Sequence, residues 1–345
     1  MTDDFSRPTR LRTGKLESER LERLLSALPQ GDHSVVIGPR VGEDAAVIEV
    51  GDRCIVSAID PITFAADHIG WYAVHVNAND VAVLGARPRW FLAVLLLPEG
   101  TSSGLVESIM TDIRRACSTL DVTVCGGHTE VTPRVDAPVV VGHMLGEVAR
   151  TRLVKKTSLQ AGDDLLLTHG VAIEGTAILA RERRADLAAA LPPAVVERAA
   201  ALLTDPGISV VHAALTAVEA GPIHAMHDPT EGGVLNGLAE LAMAASTGLE
   251  VEVARIPVLP ETRQICGYLG LDPLRLIASG ALLIGVPPAA TGDVMAALTA
   301  QAIPVTRIGS VCPQEHGTTL VSERGRTPFG PVAIDELARF YEREG

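Results

Sequence analysis

Gly42-Glu43-Asp44-Ala45-Ala46-Val47 puts a carboxylate at the mouth of an apolar run, with Gly38-Pro39-Arg40-Val41 as the loop in front of it. Gly38 and Gly42 allow close backbone approach, and Asp44 enters a strand beside small residues. A hard divalent cation takes oxygen ligands, so a carboxylate here can hold Mg²⁺ against a phosphate. The same residues can equally form an Asp turn before a strand. Working outward, 45–50 and 54–59 read as strands joined across Gly51-Asp52. Asp60-Pro61 follows at the end of the second strand, where α/β sites gather polar groups and where an acid is also a routine terminator.

The next helix carries a polar cluster. Periodicity predicts a helix over 68–84, stopped by Gly85 with Pro88 beyond. Within it lies His75-Val76-Asn77-Ala78-Asn79-Asp80-Val81-Ala82. Asn77 and Asp80 share one face, as do His75 and Asn79. Asn and Asp are poor residues for the middle of a helix, and burying Asp without a partner is costly. A ligand explains them better than a satisfied internal network. Strand 122–125 then runs into Gly126-Gly127-His128-Thr129-Glu130, which can admit a phosphate, present a metal ligand through His128, or simply turn. The second half carries His227-Asp228-Pro229-Thr230-Glu231-Gly232-Gly233, which places Asp228 and Thr230 at the start of a helix over 230–246. A helix N-terminus favours anions, and Thr230 can also serve as a plain N-cap.

The remaining pattern is mixed. Helices are expected over 15–28, 105–120, 175–184, 192–203, 209–220 and 291–302. Strands are expected over 91–97, 138–148, 164–168, 223–226, 249–253, 281–286 and 306–309. Strands and helices do not alternate as clean βαβ units, so both halves read as α+β with mixed sheets. The polar, basic stretch 151–162 marks a boundary between 14–153 and 154–345, and 1–13 reads as a flexible arm.

Totals narrow the function. At 345 residues the chain exceeds what one core usually holds, so two domains are expected. Hydrophobic residues make up 47% and aromatics 3%, so the core is built from Ala, Val, Leu and Ile, which argues against disorder. A formal charge of −13 disfavours nucleic acid and anionic membrane as partners. Lysine is confined to Lys15, Lys155 and Lys156. The five cysteines lack CxxC spacing, which fits reduced thiols in a cytoplasm. The polar start is no signal peptide, and the longest apolar run, 91–97, is too short to span a bilayer. The common nucleotide cradles GxxxxGK[ST] and strand-linked GxGxxG are absent.

Four phrases in this order, 42–47, 79–82, 126–130 and 227–233, resemble the aminoimidazole ribonucleotide (AIR) synthase superfamily, the PurM-like proteins. The likeness runs from about Gly14 to Cys312, and Gly270-Leu271-Asp272-Pro273-Leu274 is similar to the HypE branch. The resemblance implies an N-terminal ATP-binding domain that forms a shared β-barrel in a homodimer, and an α+β C-terminal domain. It implies Mg²⁺ held by Asp44, Asp60 and Asp80. It also implies ATP contacts at Lys15, Gly42, Asn77, Asn79, Gly126, Gly127, Thr129, Asp228 and Thr230, with catalysis by Asp44, Asp80 and His128. Family chemistry phosphorylates an amide, thioamide or phosphate oxygen of a small molecule.

Two departures shape that expectation. HypE proteins carry a terminal cysteine, whereas this sequence ends Arg339-Phe340-Tyr341-Glu342-Arg343-Glu344-Gly345. Glu231 stands where the family has Arg, and His128 where the kinase and HypE branches have an acid. The expectation is a HypE-like enzyme acting on a separate small molecule. The alternatives are a thiamine-phosphate-type kinase, and a nucleotide-binding protein that works through a protein partner without catalysis.

Overall fold

The structure, a computed structural model, describes residues 16–29, 31–63 and 67–344. The N-terminal half runs α1 (Ser18–Ser26), β1 (Val35–Ile37), β2 (Ala45–Val50), β3 (Arg53–Ile62), α2 (Ile69–Ala82), β4 (Arg87–Leu97), α3 (Ser103–Leu120), β5 (Thr123–Val131) and β6 (Val139–Ala149). The C-terminal half continues with β7 (Asp164–Thr168), α4 (Ile173–Glu182), α5 (Arg184–Ala190), α6 (Pro193–Ala201), α7 (Val211–Ala220), β8 (Ala225–His227), α8 (Gly233–Ala245) and β9 (Gly248–Glu252). It closes with α9 (Pro260–Leu269), β10 (Leu283–Val286), α10 (Pro288–Ala300), β11 (Val305–Cys312), β12 (Thr318–Ser322), β13 (Gly325–Pro328) and α11 (Glu336–Glu344).

Each half is built on one sheet. The first has order β1-β2-β3-β6-β4-β5 and the second β13-β12-β9-β11-β7-β10-β8. Among the described residues, parallel pairing occurs only at β4–β5 and β12–β9, so both sheets are mixed, as the α+β reading expects. Alternation along β3, β4 and β6 buries Val56, Ala58, Phe91, Leu95, Val140 and Met144 on the face that α2 covers. The opposite face, with Ile48, Ile59, Val94, Val141 and Leu145, is uncovered by any described helix. One apolar cluster runs from Ile37 through both halves to Phe340, so the halves share a core. Among the described residues no single helix is long and apolar enough to cross a membrane.

Helix α2 is buried on nearly every side, which its run of Ala, Val, Ile, Trp and Tyr requires. Its Asn79 crosses to the second half: Nδ2 donates to the Ile208 carbonyl at 2.8 Å, and Oδ1 accepts from the Val210 amide at 2.8 Å. Sheet and helix come close at Gly142. A Cβ there would lie 2.4 Å from Asn77 Nδ2 and 2.6 Å from the Ala73 carbonyl. Gly142→Ala is therefore expected to destabilise by about 2 kcal/mol through overpacking. Urea denaturation reads this, and an unchanged midpoint would mean that α2 and β6 separate freely.

Several expectations need correction. Strand 122–125 does not stop at Gly126; β5 continues to Val131, pairing in parallel with β4. The double glycine is therefore strand, and Cys125 is the extra residue at a bulge between the Phe91–Val124 and Leu92–Gly126 pairs. Gly127 has φ +155° and a Cβ there would sit 2.2 Å from the Ala93 carbonyl, so sheet packing requires glycine. The strand expected over 91–97 begins earlier, at Arg87, with Pro88 inside it next to a register shift. The helix expected to open at Thr230 begins at Gly233. The apolar face expected of helix 15–28 is half open, with Leu24 and Leu28 exposed. Helix α9, helix α11 and the β12–β13 hairpin had no counterpart in the sequence reading. The 1–13 arm and Lys15 lie outside the described residues.

Candidate metal and nucleotide site

The site forms where the first sheet meets the second. Asp44 precedes β2, Asp60 sits near the end of β3 on the face toward α2, and Asp80 lies in the last turn of α2. The second half contributes Asp228, directly after β8, Glu240 from α8, and Lys156 from a single 3₁₀ turn at Lys156–Ser158. Two braces hold the first-half acids. Asn77 Oδ1 accepts from the Asp60 amide at 2.8 Å, and Asn77 Nδ2 donates to the Ala73 carbonyl at 2.9 Å. Both amide side chains of the α2 cluster, Asn77 and Asn79, are thus engaged within the protein. Their mid-helix placement reflects a satisfied network that positions Asp60 and the 208–210 segment.

Asp44 carries the main counter-charges. Lys156, 3% exposed, places Nζ 2.5 Å from Asp44 Oδ2 and 3.0 Å from the Gly42 carbonyl. Gly42 has φ +86°, a left-handed conformation that turns this carbonyl toward the ammonium at little steric cost. His227 Nδ1 lies 3.6 Å from the same Asp44 oxygen, while its Nε2 is 2.8 Å from Glu240 Oε2. Asn236 Nδ2 donates to Glu240 Oε1 at 3.1 Å, which fixes that carboxylate against the imidazole. Burial opposes ionisation of Asp44, but Lys156 and His227 outweigh it and hold the carboxyl far below the ordinary range.

The neighbouring carboxyls behave oppositely. Asp80 is raised well above its ordinary value, first by burial and then by the charges of Asp228, Asp44 and Asp60. Asp228 is raised from 3.8 to about 7, by burial and then by Asp44. Asp80 Oδ2 and both oxygens of Asp228 have no hydrogen-bond partner among the described residues. Buried carboxylate oxygens without partners are costly and are what a divalent cation satisfies. Ligand atoms of Asp44, His227 and Asp228 lie within 4.8 Å of one another. The donor set, mostly carboxylate oxygen, fits Mg²⁺.

Not every expected residue gathers here. His128, with Gly126, Gly127 and Thr129, stands on the exposed edge strand β5, where its ring faces Glu130 at 3.5 Å. Strand β5 is three places from β3 in the sheet, about 14 Å across the ladder. Thr230 donates through Oγ1 to Glu231 Oε2 at 3.0 Å. The Gly232 amide, just before α8, donates to Asp335 Oδ2 at 2.6 Å.

Glu174, in the first turn of α4, is 5% exposed with Oε2 lacking a partner among the described residues. Its carboxyl rises from 4.5 to about 7 through burial, with Ser279 opposing and Glu231 and Asp335 adding to the shift. His75, on the same helix α2, packs tilted against Trp71 at 4.3 Å between centroids and is lowered to about 3 by burial and by Arg115.

Sequence reasoning missed Lys156 and Glu240 as site residues, and it reads Glu174-Gly175-Thr176 as turn chemistry before a helix. Lys156 was read as part of a basic boundary, because its partner lies 112 residues away. The available signal was scarcity: a chain with three lysines sets two of them side by side next to apolar Val154.

Residues 42–148 match the N-terminal domain of the AIR synthase related protein family, and residues 160–322 match its C-terminal domain. The chain is 31% identical over 303 residues to carbamoyl dehydratase HypE of Rhodobacter capsulatus, covering 85% of this chain and 84% of that one. It is 31% identical over 263 residues to the HypE of Escherichia coli K12, covering 74% of each. A crystal structure of hydrogenase maturation protein HypE in complex with ATP superposes with a TM-score of 0.71 at 25% identity, over 95% of this chain and 98% of that one. The fold also resembles thiamine monophosphate kinase from Aquifex aeolicus, with a TM-score of 0.63 at 19% identity over 79% and 88% of the two chains. With both domains matched in register and relatives alike over most of their length, the chain belongs to the AIR synthase related protein family and is similar to its HypE members.

Proposed function

We propose that the protein is a Mg²⁺- and ATP-dependent enzyme that phosphorylates, and so activates, an amide, thioamide or phosphate oxygen of a small molecule. One observation carries this reading: the carboxylates Asp44, Asp60, Asp80 and Asp228 converge from both halves, and among the described residues Asp80 Oδ2 and both Asp228 oxygens are buried without a hydrogen-bond partner. The ATP-bound HypE structure, alike over nearly the whole chain, supports the choice of nucleotide. In this reading Asp44, Asp60 and Asp80 hold the metal, with Asp228 facing them from the second half. Bound Mg²⁺ would supply charge neutralisation for the transferring phosphoryl group. Asn77 fixes Asp60 and Asn79 ties α2 to the 208–210 segment, so positioning rather than a covalent enzyme intermediate provides the rate gain. Residues 14–153 and 154–345 act as the two units whose junction is the site.

The open apolar face of the first sheet supports a homodimer, because a face with Ile48, Ile59, Val94 and Leu145 loses water when a second copy covers it. His128, Gly126, Gly127 and Thr129 act from that edge, within the paired sheets. Sedimentation at micromolar concentration reads the association, and a monomer mass would end this part of the proposal.

Calorimetric titration with ATP, with and without Mg²⁺, followed by ADP release with small amides, thioamides and phosphate monoesters, tests the function. Mg²⁺-dependent binding with substrate-dependent release is the expected result. Binding without release for every acceptor would favour a nucleotide-binding protein acting through a partner. No binding at millimolar ATP would remove the reading.

A further inference from the structure

We infer that Lys156 is a built-in cation that occupies the metal side of Asp44 in the ion-free protein and is displaced when a divalent ion binds. The inference rests on the metal site proposed above and concerns how that site stays folded when empty. Asp44, Asp60, Asp80, Asp228 and Glu240 bring five carboxyls together, and the balancing charges described are Lys156 and His227. Lys156 is 3% exposed, yet its Nζ is 2.5 Å from Asp44 Oδ2. Asp44 also belongs to the group with His227 and Asp228 whose ligand atoms, one from each, lie within 4.8 Å, and the same Oδ2 lies 3.6 Å from His227 Nδ1. An ammonium and a divalent cation cannot both sit against one carboxylate oxygen at contact distance, because like charges repel strongly at that separation.

The anchoring of Lys156 suits a displaceable group. It stands in a one-turn 3₁₀ segment, not inside a helix, and its second contact is the carbonyl of Gly42. Asp44 and Gly42 belong to the first half and Lys156 to the segment entering the second, so the pair ties the 38–44 loop across the junction. Displacement therefore frees the ammonium for a phosphate oxygen of the ligand that arrives with the ion. The apparent affinity for the ion is lowered by the fraction of molecules in which Lys156 holds Asp44.

Lys156→Met removes the competitor. The probe is Mn²⁺ alone, followed by paramagnetic resonance of the free ion, on the full chain in the absence of nucleotide. The variant is expected to bind Mn²⁺ at least about tenfold more tightly than the native protein, while its affinity for ATP in EDTA falls. Lys156→Arg, which keeps the charge, is expected to retain weak Mn²⁺ binding. Equal or weaker Mn²⁺ binding by Lys156→Met overturns the inference and leaves the metal site standing. Absence of Mn²⁺ binding in both native and variant proteins, with ATP present or not, overturns the metal site and the inference together. If Lys156→Met unfolds in EDTA, the reading is its melting temperature: a larger rise with Mn²⁺ than the native protein shows is expected, and no rise overturns the inference.

Discussion

Asp80→Asn is expected to abolish Mg²⁺-dependent ATP binding and, at the same time, to raise the stability of the metal-free protein. The two effects share one cause. Asp80 is 4% exposed, and burial together with Asp228, Asp44 and Asp60 makes its ionised form unfavourable. Asn keeps the shape and removes the charge. Metal affinity should fall at least about 100-fold, since even outer-shell partners of a metal cost 10–100-fold. Stability should rise most at high pH. A carboxyl whose folded pKa is raised contributes fully below its unfolded value, and that contribution is lost as pH rises through the folded value. Calorimetric melting in EDTA at pH 5 and pH 8, beside titration with Mg²⁺ and ATP, measures both effects. Native-like Mg²⁺-dependent binding would take Asp80 out of the site, and a drop in metal-free stability would contradict the crowding of carboxylates around it.

Asp44→Asn makes the contrast. It also removes a metal ligand, but it leaves Lys156 buried without its 2.5 Å partner. Breaking a buried pair from one side costs about 3 kcal/mol, so here the metal-free protein should lose stability. Opposite signs from the same Asp-to-Asn change would separate the paired carboxylate from the crowded one.

Glu174→Gln is expected to remove a pH dependence of stability on the order of 3 kcal/mol. Burial is the main reason that the Glu174 carboxyl rises from 4.5 to about 7, with Ser279 opposing and Glu231 and Asp335 adding. Its stabilising contribution is therefore complete below pH 4.5 and disappears as pH rises through about 7. Asp335, raised from 3.8 to about 6 chiefly by burial, has the same sign, so the native slope contains more than one group. The difference between native and Glu174→Gln midpoints in urea, at pH 5 and pH 8 with EDTA, isolates Glu174. Equal slopes in the two proteins would show that the carboxyl is solvated or paired in solution.

How much of this could be read in the sequence depends on the range of each interaction. The period of apolar residues located α2, α3 and most strands, because burial of one helix stripe or strand face is a local demand. It failed where tertiary pairing overrode a local signal. Gly126-Gly127 looks like a stop, yet parallel pairing with β4 carries β5 through it, since glycine is what fits against the Ala93 carbonyl. Helix α11 is mostly charged, and its docking through Leu337 and Phe340 depends on a core completed elsewhere.

The candidate site divides the same way. Asp44, Asp60, Asp80 and Asp228 are visible one by one: Asp80 contradicts local helix propensity, Asp44 and Asp60 stand at strand ends, and Asp228 stands before a helix. That they meet is a consequence of the Asn79 bridge, the shared core and the β2–β3–β6 register, all made by residues far apart in the chain. The sequence by itself determined the candidate aspartates, the mixed α+β character and the two-part order of motifs. Only the tertiary structure decided that Lys156 neutralises Asp44, that Asn77 and Asn79 brace rather than wait for a ligand, and that Asp335 caps Gly232. The physical reason is that electrostatic and hydrogen-bond partners are chosen by distance in space, and a carboxylate carries no local trace of a cation more than a hundred residues away.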